Sequence, residues 1–281
     1  MEMSDVINSS EWRRKIDYNA TIYIQYDGGC INKTYDSAYW YLKDLLNKME
    51  KYKSDDKYSY ILGISLTIEA LKKVPQFMEK VYVSSKAIKN EQYEKLLELT
   101  SSFNIPLIED DKVIEKLSVK ENCYGIGVFK KFYNDLKTDR HIVLYKFSDY
   151  GELGTIFRSA VSFDFSDLVL IDCAIDYFDP RVVRASMGSI FHLNIKCFNS
   201  LEEYKREYNY HLYPFTSKRD RELKQLKLES PYSLIIPQNY YDLDNIFDYG
   251  YYLKHIGKEE ISLSSLSSIV FNYCYLSNLK R

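Results

Sequence analysis

The stretch HIVLYKFSDYGELGTIFRSAVSFDFSDLVLIDC, residues 141–173, contains a strand, a helix and a second strand in succession. The apolar runs HIVLYKF and DLVLIDC are typical of buried strands, and LGTIFRSAVSF between them has the apolar spacing of a helix. Two strands joined through a helix predict a parallel pair. This part of the chain therefore predicts an α/β domain built on a parallel sheet.

The same alternation extends along the chain in both directions. Toward the C-terminus, strands are predicted at LNIKCF, YHLYPFT, YSLIIP and YYLKHI, and helices at DPRVVRASMGSIF, SLEEYKREYN and SLSSLSSIVFNYCYLSN. Between residues 60 and 130, a helix after Gly63 and the helices NEQYEKLLELTSSFN and DKVIEKLS alternate with the strands KVYVSS, IPLIED and YGIGVFKKF. Each region therefore predicts an α/β unit with a mainly parallel sheet.

A charged segment, NDLKTDR, separates the two regions and predicts a linker. We expect an N-terminal extension (1–57), a small α/β domain (58–132) and a larger α/β domain (139–281). Ligands of open α/β sheets bind beyond the carboxyl ends of the strands. The loops SDYGELG, IIPQNYYD and HIGKEEIS, each of which follows a strand of the larger domain, are therefore expected to line one pocket.

Charge and composition narrow the classes of function. Lysine and arginine total 38 and aspartate and glutamate total 40, for a net charge of −2, so a nucleic-acid partner would need a local basic patch. The five cysteines form no Cys-x-x-Cys pair and the four histidines lack metal-ligand spacing, which predicts reduced thiols and no metal site. No stretch is long enough to span a membrane, so we expect a soluble cytoplasmic protein.

Two features could indicate RNA binding but are better explained by structure alone. The 28 tyrosines could stack on nucleic-acid bases, but a composition bias that fills cores and surfaces with tyrosine is the simpler explanation. The charged run SKRDRELKQLK is more typical of a solvated face than of an RNA contact.

The segment GELGTIFR is the candidate for chemistry. It has neither the ending of a phosphate-binding P-loop nor a dinucleotide fingerprint, and Gly151 and Gly154 taken alone are turn residues. Arg158 lies one helical turn after Gly154. Two interpretations fit this position equally well: the side chain extends along apolar surface to reach solvent, or it binds a phosphate in a bidentate way. Arg184 is a second phosphate candidate, whereas the small residues after it favour tight helix packing.

The larger domain resembles the SpoU/TrmH family of RNA ribose methyltransferases, which belong to the knotted SPOUT superfamily. GELGTIFRSAVSFDFSDLVLID is similar to the first family motif and the strand after it, and AIDYFDPRVVRASMGSIFHLNI is similar to the next block. PYSLIIP and KHIGKEEISLSSLSSIVFNYCYL occupy the places of the second and third motifs. Residues 60–130 also resemble the small substrate-binding domain of the family, which implies an RNA-binding domain followed by a trefoil-knotted one.

The resemblance implies an activity and a set of site residues. The activity is transfer of a methyl group from S-adenosylmethionine to a ribose 2′-hydroxyl of ribosomal or transfer RNA, by a homodimer that forms through the knotted domain. Arg158 takes the place of the catalytic arginine. The implied cofactor-binding residues are Ile236, Pro237, Gln238, His255, Ile256, Leu263 and Ser264, and the implied RNA-binding residues are Glu152, Gly154, Arg158 and Arg184.

The family motifs are altered at three places. Glu152 stands where the family has asparagine, PQNY (237–240) replaces a glycine- and glutamate-containing motif, and Ser264 replaces an asparagine. Proline has no N–H donor, and an added acid near a polyanion is unfavourable. These changes leave open a non-catalytic module that binds RNA or protein, and a pocket remodelled for another small ligand.

Overall fold

The structure is a computed structural model that describes residues 21–26, 29–34, 52–89, 91–118, 123–218, 220–254 and 261–279. The chain divides into two units, Met1–Lys53 and Ser54–Arg281. In the first unit, β1 (Thr21–Tyr26) and β2 (Gly29–Thr34) pair antiparallel. The further division of the second unit at 132–139 stays a prediction.

The small sheet of the second unit contains four strands in the order β3-β6-β4-β5. They are β3 (Tyr58–Leu62), β4 (Met78–Val83), β5 (Leu107–Glu109) and β6 (Gly125–Lys130). Only β4 and β5 pair in parallel, so the prediction of a mainly parallel sheet is wrong here. The helical crossover does leave β3 and β4 pointing the same way, but β6 fills the gap between them in the opposite direction.

Helices α1 (Ile64–Lys73), α2 (Tyr93–Ser102) and α3 (Asp111–Leu117) accompany this sheet, with short 3-10 helices at Pro75–Phe77 and Ser85–Lys89. Helix α1 covers one face closely. A Cβ added to Gly127 would lie 3.0 Å from the Thr67 side chain, and one on Gly125 would lie 2.7 Å from Ile64. Glycine therefore allows β6 to approach α1.

The large sheet is entirely parallel, as predicted, in the order β10-β12-β7-β8-β9. Its strands are β7 (Arg140–Tyr145), β8 (Asp167–Ile171), β9 (Asn194–Phe198), β10 (His211–Pro214) and β12 (Tyr232–Pro237). The two-residue strands β11 (Arg221–Glu222) and β13 (Tyr251–Tyr252) pair beside it. Buried strands connected through helices account for the parallel order.

Four α-helices accompany the large sheet: α4 (Tyr150–Ser162), α5 (Pro180–Ala185), α6 (Leu201–Glu207) and α7 (Leu263–Leu279). Further 3-10 helices lie at Ser189–His192, Leu223–Gln225 and Tyr240–Leu243. The single helix predicted at DPRVVRASMGSIF is interrupted, because Met187 and Gly188 have φ of 51° and 84°. Such left-handed residues end a helix.

The two sheets of the second unit are joined by buried contacts. Strand β3 packs on α5, and the Ser59 hydroxyl donates a 2.5 Å hydrogen bond to the Phe178 carbonyl. The buried Lys131 ammonium lies 2.7 Å from the Asp176 carboxylate and donates to the Ser54 carbonyl. The segment NDLKTDR, which predicts a linker, therefore begins shortly after this ion pair.

The amino ends of the large-sheet strands carry a buried polar network. The Asp167 carboxylate accepts hydrogen bonds from the backbone N–H groups of Lys137 and Thr138 and, at 2.7 Å, from the Asn194 amide. His141 Nδ1 lies 2.9 Å from the Tyr204 hydroxyl. Burial lowers the pKa of His141, although nearby Asp167 opposes the shift.

Candidate functional site

The carboxyl ends of β7 and β12 are held together at their loops. The Gln238 backbone N–H donates to the Tyr145 carbonyl at 2.9 Å, and the Gln238 side-chain carbonyl accepts from the Ser148 N–H at 3.0 Å. Pro237, which has no N–H, ends β12 opposite Tyr145. The following residue, Gln238, supplies the backbone N–H that bonds to β7. The loops SDYGELG and IIPQNYYD therefore lie side by side.

Helix α4 begins earlier than the sequence predicted, and Gly151 and Gly154 lie inside it instead of in a turn. The cause is an N-cap, because the Asp149 carboxylate accepts from the Glu152 N–H at 2.7 Å. Gly154 is buried against α5, where an added Cβ would lie 2.5 Å from the Ala185 Cβ and 2.7 Å from the Ser186 backbone nitrogen. This close packing accounts for glycine, and an RNA contact by Gly154 stays a prediction.

Glu152 connects α4 to the start of α7. Its half-buried carboxylate accepts hydrogen bonds from the backbone N–H groups of Leu263 and Ser264. These are first-turn amides, which have no partner inside their own helix. Burial raises the pKa of Glu152, the charge of Asp149 raises it further, and the two amide hydrogen bonds oppose the shift. The acid that replaces the family asparagine is thus an acceptor for the N-terminus of α7.

Arg158 lies two turns further along α4 and is exposed. Within the part of the chain that the structure describes, its guanidinium forms no ion pair and no hydrogen bond. Arg184 is half-buried on α5, the helix that packs against α4, and its side chain likewise pairs with no described residue. The guanidinium N–H groups of both predicted phosphate ligands are therefore not used by any described residue.

Of the seven predicted cofactor residues, the structure describes five. Ile236, Pro237 and Leu263 are buried, and Gln238 and Ser264 are half-buried. His255 and Ile256 lie outside the described residues. The Glu152 hydrogen bonds place the first turn of α7 beside the start of α4. The residues that the structure describes therefore bring parts of all three motifs to the carboxyl edge of the sheet.

A cation–aromatic contact that the sequence did not predict lies at the start of α4. The Arg181 guanidinium lies 3.5 Å from the centre of the Tyr150 ring and forms a forked ion pair with Asp179, at 2.9 and 2.7 Å. The spacing Asp-x-Arg at the start of α5 is a weak signal for such a fork. Since Arg181 is already paired, Arg158 and Arg184 are better placed to bind an anion.

The carboxyl edge is rich in acids. Burial raises the pKa of Tyr145, and nearby Asp172, Asp242 and Glu202 raise it further while Lys146 lowers it.

The described residues contain no group of three or more histidine, cysteine, aspartate or glutamate side chains that could hold a metal ion. Among the same residues, no helix is both long and apolar enough to cross a membrane.

Comparison with known proteins agrees with the sequence resemblance. Residues 139–237 match the model of the SpoU rRNA Methylase family, so the resemblance is confirmed for this segment. No curated protein matches the chain.

Solved structures share the fold at low sequence identity. An rRNA methyltransferase from Sinorhizobium meliloti has a TM-score of 0.67 and 19% identity, with 83% of this chain and 93% of that chain covered. AviRb, a SpoU methyltransferase from Streptomyces viridochromogenes solved with AdoMet, has a TM-score of 0.68 and 14% identity over 79% and 91%. A structure described as an RNA 2′-O ribose methyltransferase has a TM-score of 0.66 and 18% identity over 79% and 90%. The chain therefore shares its α/β fold with these methyltransferase structures.

Proposed function

We propose that this protein is an RNA methyltransferase that transfers a methyl group from S-adenosylmethionine to a ribose 2′-hydroxyl of ribosomal or transfer RNA. One observation carries the proposal. Residues 139–237 match the SpoU family. The Ser148 N–H donates a hydrogen bond to the Gln238 side chain, and the Glu152 carboxylate accepts hydrogen bonds from the first amides of α7. The motif segments thus converge where ligands of parallel sheets bind.

In this proposal Arg158 orients the RNA at the reacting hydroxyl. An arginine side chain stays protonated at neutral pH and is therefore a poor base. Its exposed guanidinium, which pairs with no described residue, instead suits bidentate contact with a phosphate and stabilisation of the negative charge that develops on the ribose oxygen. Arg184, also without a described ion pair, supplies a second phosphate contact.

The cofactor is proposed to bind at the loop after β12 and the start of α7. Pro237 and Leu263 place apolar side chains at this edge, and Gln238 and Ser264 place polar groups beside them, whereas the side chain of Ile236 is fully buried. S-adenosylmethionine supplies an electrophilic methyl group when bound. This donor set fits a ligand with an apolar ring and polar ends, while His255 and Ile256, outside the described residues, complete the predicted set.

We also propose a cytoplasmic homodimer formed through the larger domain. Helix α7 exposes apolar side chains on one side, with Ile269 40% and Leu276 48% exposed and Tyr275 beside them. Burial of such surface against a second copy is favourable. A monomeric mass in light scattering would contradict this part of the proposal.

The proposal is tested by titration calorimetry with S-adenosylmethionine, followed by transfer of a radioactive methyl group to extracted RNA. We expect saturable binding of S-adenosylmethionine. After digestion of the RNA, we expect the radioactive label in 2′-O-methylated nucleotides. Absence of binding at millimolar cofactor would overturn the proposal.

A non-catalytic module that binds RNA is the second candidate, because Glu152 already occupies the first amides of α7. This candidate predicts RNA binding without cofactor binding or methyl transfer. Methylation that disappears in Arg158→Ala would exclude it.

A further inference from the structure

The small sheet ends at β5, a strand with one open edge. The register pairs Val83 of β4 with Glu109, and the Val83 carbonyl accepts a hydrogen bond from the Asp110 N–H. Because bonding groups alternate in direction along a strand, the N–H and C=O groups of Leu107 and Glu109 point away from β4. Among the described strands, β5 is the last on this side of the sheet. These backbone groups therefore face the open edge.

A groove of about 470 Å³ lies between α2 and the start of β5. Leu97 and Ser101 line it from α2, and residues 104–107 line it from the other side. Asn104, whose φ is 54°, ends α2 and turns the chain toward β5. We call this groove, together with the outer edge of Leu107 and Glu109, the β5 groove.

Large apolar side chains at the β5 groove are exposed. Leu97 is 46% exposed, Phe103 at the end of α2 is 43% exposed, and Ile108 on β5 is 38% exposed. Exposed apolar surface beside an open sheet edge is typical of a site where an extended segment adds as a further strand.

The charge around the β5 groove is negative. Glu94, Glu98 and Ser101 are spaced four and three residues apart, so both acids share the face of α2 that lines the groove. Lys95 lies on another side of the helix. Glu109 adds a third exposed carboxylate on the edge strand itself.

This charge favours one class of occupant. Residues 91–112 contain six acids and two lysines, whereas the whole chain is nearly balanced, with 40 acids and 38 lysines and arginines. Such a surface repels RNA, which is a polyanion, and attracts a basic protein segment. The occupant is therefore expected to be basic, extended and partly apolar.

We propose that the β5 groove binds an extended basic segment of a partner protein, which adds to the small sheet as a fifth strand. Backbone groups of the segment pair with Leu107 and Glu109. Its apolar side chains pack against Leu97, and its lysine or arginine side chains lie beside Glu94 and Glu98. Main-chain hydrogen bonds and apolar burial supply affinity in this mode, and the acids select for basic segments.

The test measures, by fluorescence anisotropy at low salt, the affinity of the full chain for a fluorescein-labelled octapeptide of four valines flanked on each side by two lysines. We expect saturable binding. Two comparison peptides replace the lysines by glutamate or the valines by serine. Each should bind at least about tenfold more weakly, because charge attraction or apolar burial is lost.

Variants on α2 test the two attractions separately. Glu94→Gln/Glu98→Gln should weaken binding about threefold or more and reduce its salt dependence, because two carboxylates are lost. Leu97→Ser should weaken binding about fivefold, because apolar surface available to the peptide is lost. The Leu97 side chain is 46% exposed, so this variant is expected to fold.

A matched pair at Glu109 tests the addition of a strand. Glu109→Gln removes only the charge, whereas Glu109→Pro also removes the N–H group that points to the open edge. Proline is tolerated at such a position because no bond to β4 is lost. Weaker binding by Glu109→Pro than by Glu109→Gln supports pairing of the backbones, and equal binding overturns it.

The control variant Asp135→Asn/Asp220→Asn removes two exposed acids outside the β5 groove and should keep the wild-type affinity. Circular dichroism verifies that each variant is folded. Equal affinity for the three peptides, or unchanged affinity of folded Leu97→Ser, overturns the inference. A second copy is the occupant, and the inference is wrong, when Leu97→Ser lowers the mass in light scattering without changing peptide affinity.

The inference goes beyond the proposed function and fails separately from it. The variants of the β5 groove should keep their affinity for S-adenosylmethionine and their methyl transfer to protein-free RNA. Methyl transfer without peptide binding would refute the β5 groove alone. Peptide binding that depends on Leu97, with no cofactor binding, would refute the methyltransferase and support the groove.

Discussion

The two ends of the large parallel sheet carry similar polar residues in opposite settings. At the amino ends, Asp167 and His141 are fully buried, and their polar atoms are bonded to neighbouring backbone and side chains. At the carboxyl ends, Glu152 is half-buried and Arg158 is exposed without a described partner.

This difference separates residues that hold the fold from residues available for chemistry. A buried carboxylate is stable only when its hydrogen bonds are satisfied, so its loss affects folding. An exposed arginine contributes little to folding, and its donors remain free for a ligand. Substitutions at the amino end should therefore change stability, and those at the carboxyl end should change activity.

The largest effect is expected at Arg158. Arg158→Ala should lower the rate of RNA methylation about 100- to 1000-fold, because a donor to developing negative charge is removed. The unfolding temperature should stay close to that of the wild type. Methyl transfer measured with saturating RNA separates the rate from binding, and an unchanged rate would remove Arg158 from the proposed site.

The next effect is expected at the amino end. Asp167→Ala should lower the free energy of unfolding by about 3 kcal/mol or more, because two backbone N–H groups and the Asn194 amide lose their acceptor. Urea denaturation measures the change. The control is Asp172→Asn, an exposed acid at the carboxyl end with a φ of 50° that asparagine tolerates. Equal destabilisation by both variants would contradict the comparison.

A smaller effect is expected at Glu152, which belongs partly to both classes. Glu152→Ala should lower the free energy of unfolding by about 1 kcal/mol, because two first-turn amides of α7 lose their acceptor. Glu152→Gln keeps one acceptor oxygen and should cost less. Thermal unfolding of both variants, with cofactor titration beside it, decides whether this contact only stabilises α7 or also shapes cofactor binding.

The smallest effect is the pH dependence that His141 contributes. Its folded-state pKa lies below the usual value because of burial, so the unfolded chain takes up the proton first as pH falls below about 6.5. Stability should therefore decrease between pH 7.5 and 5.5, and less so in His141→Gln. A steeper fall in His141→Gln would reverse this assignment.

Much of the large domain followed from local pattern. Apolar runs separated by helical spacing predicted β7, α4 and β8, and helical crossovers made the sheet parallel. The resemblance of 139–237 to the SpoU family came from the same residues and is confirmed. In the small sheet, local pattern missed β3, whose apolar residues merge with those of α1, and therefore missed the position of β6.

Tertiary structure alone decided which distant residues meet. The amides of Leu263 and Ser264 determine what Glu152 does, and the Ala185 Cβ explains Gly154. The position of β6 between β3 and β4 is likewise decided by the assembled sheet. Periodicity along a chain is set by neighbouring residues and predicts which side of an element is buried. The partner of that side depends on the packing of the whole fold, which no local pattern contains.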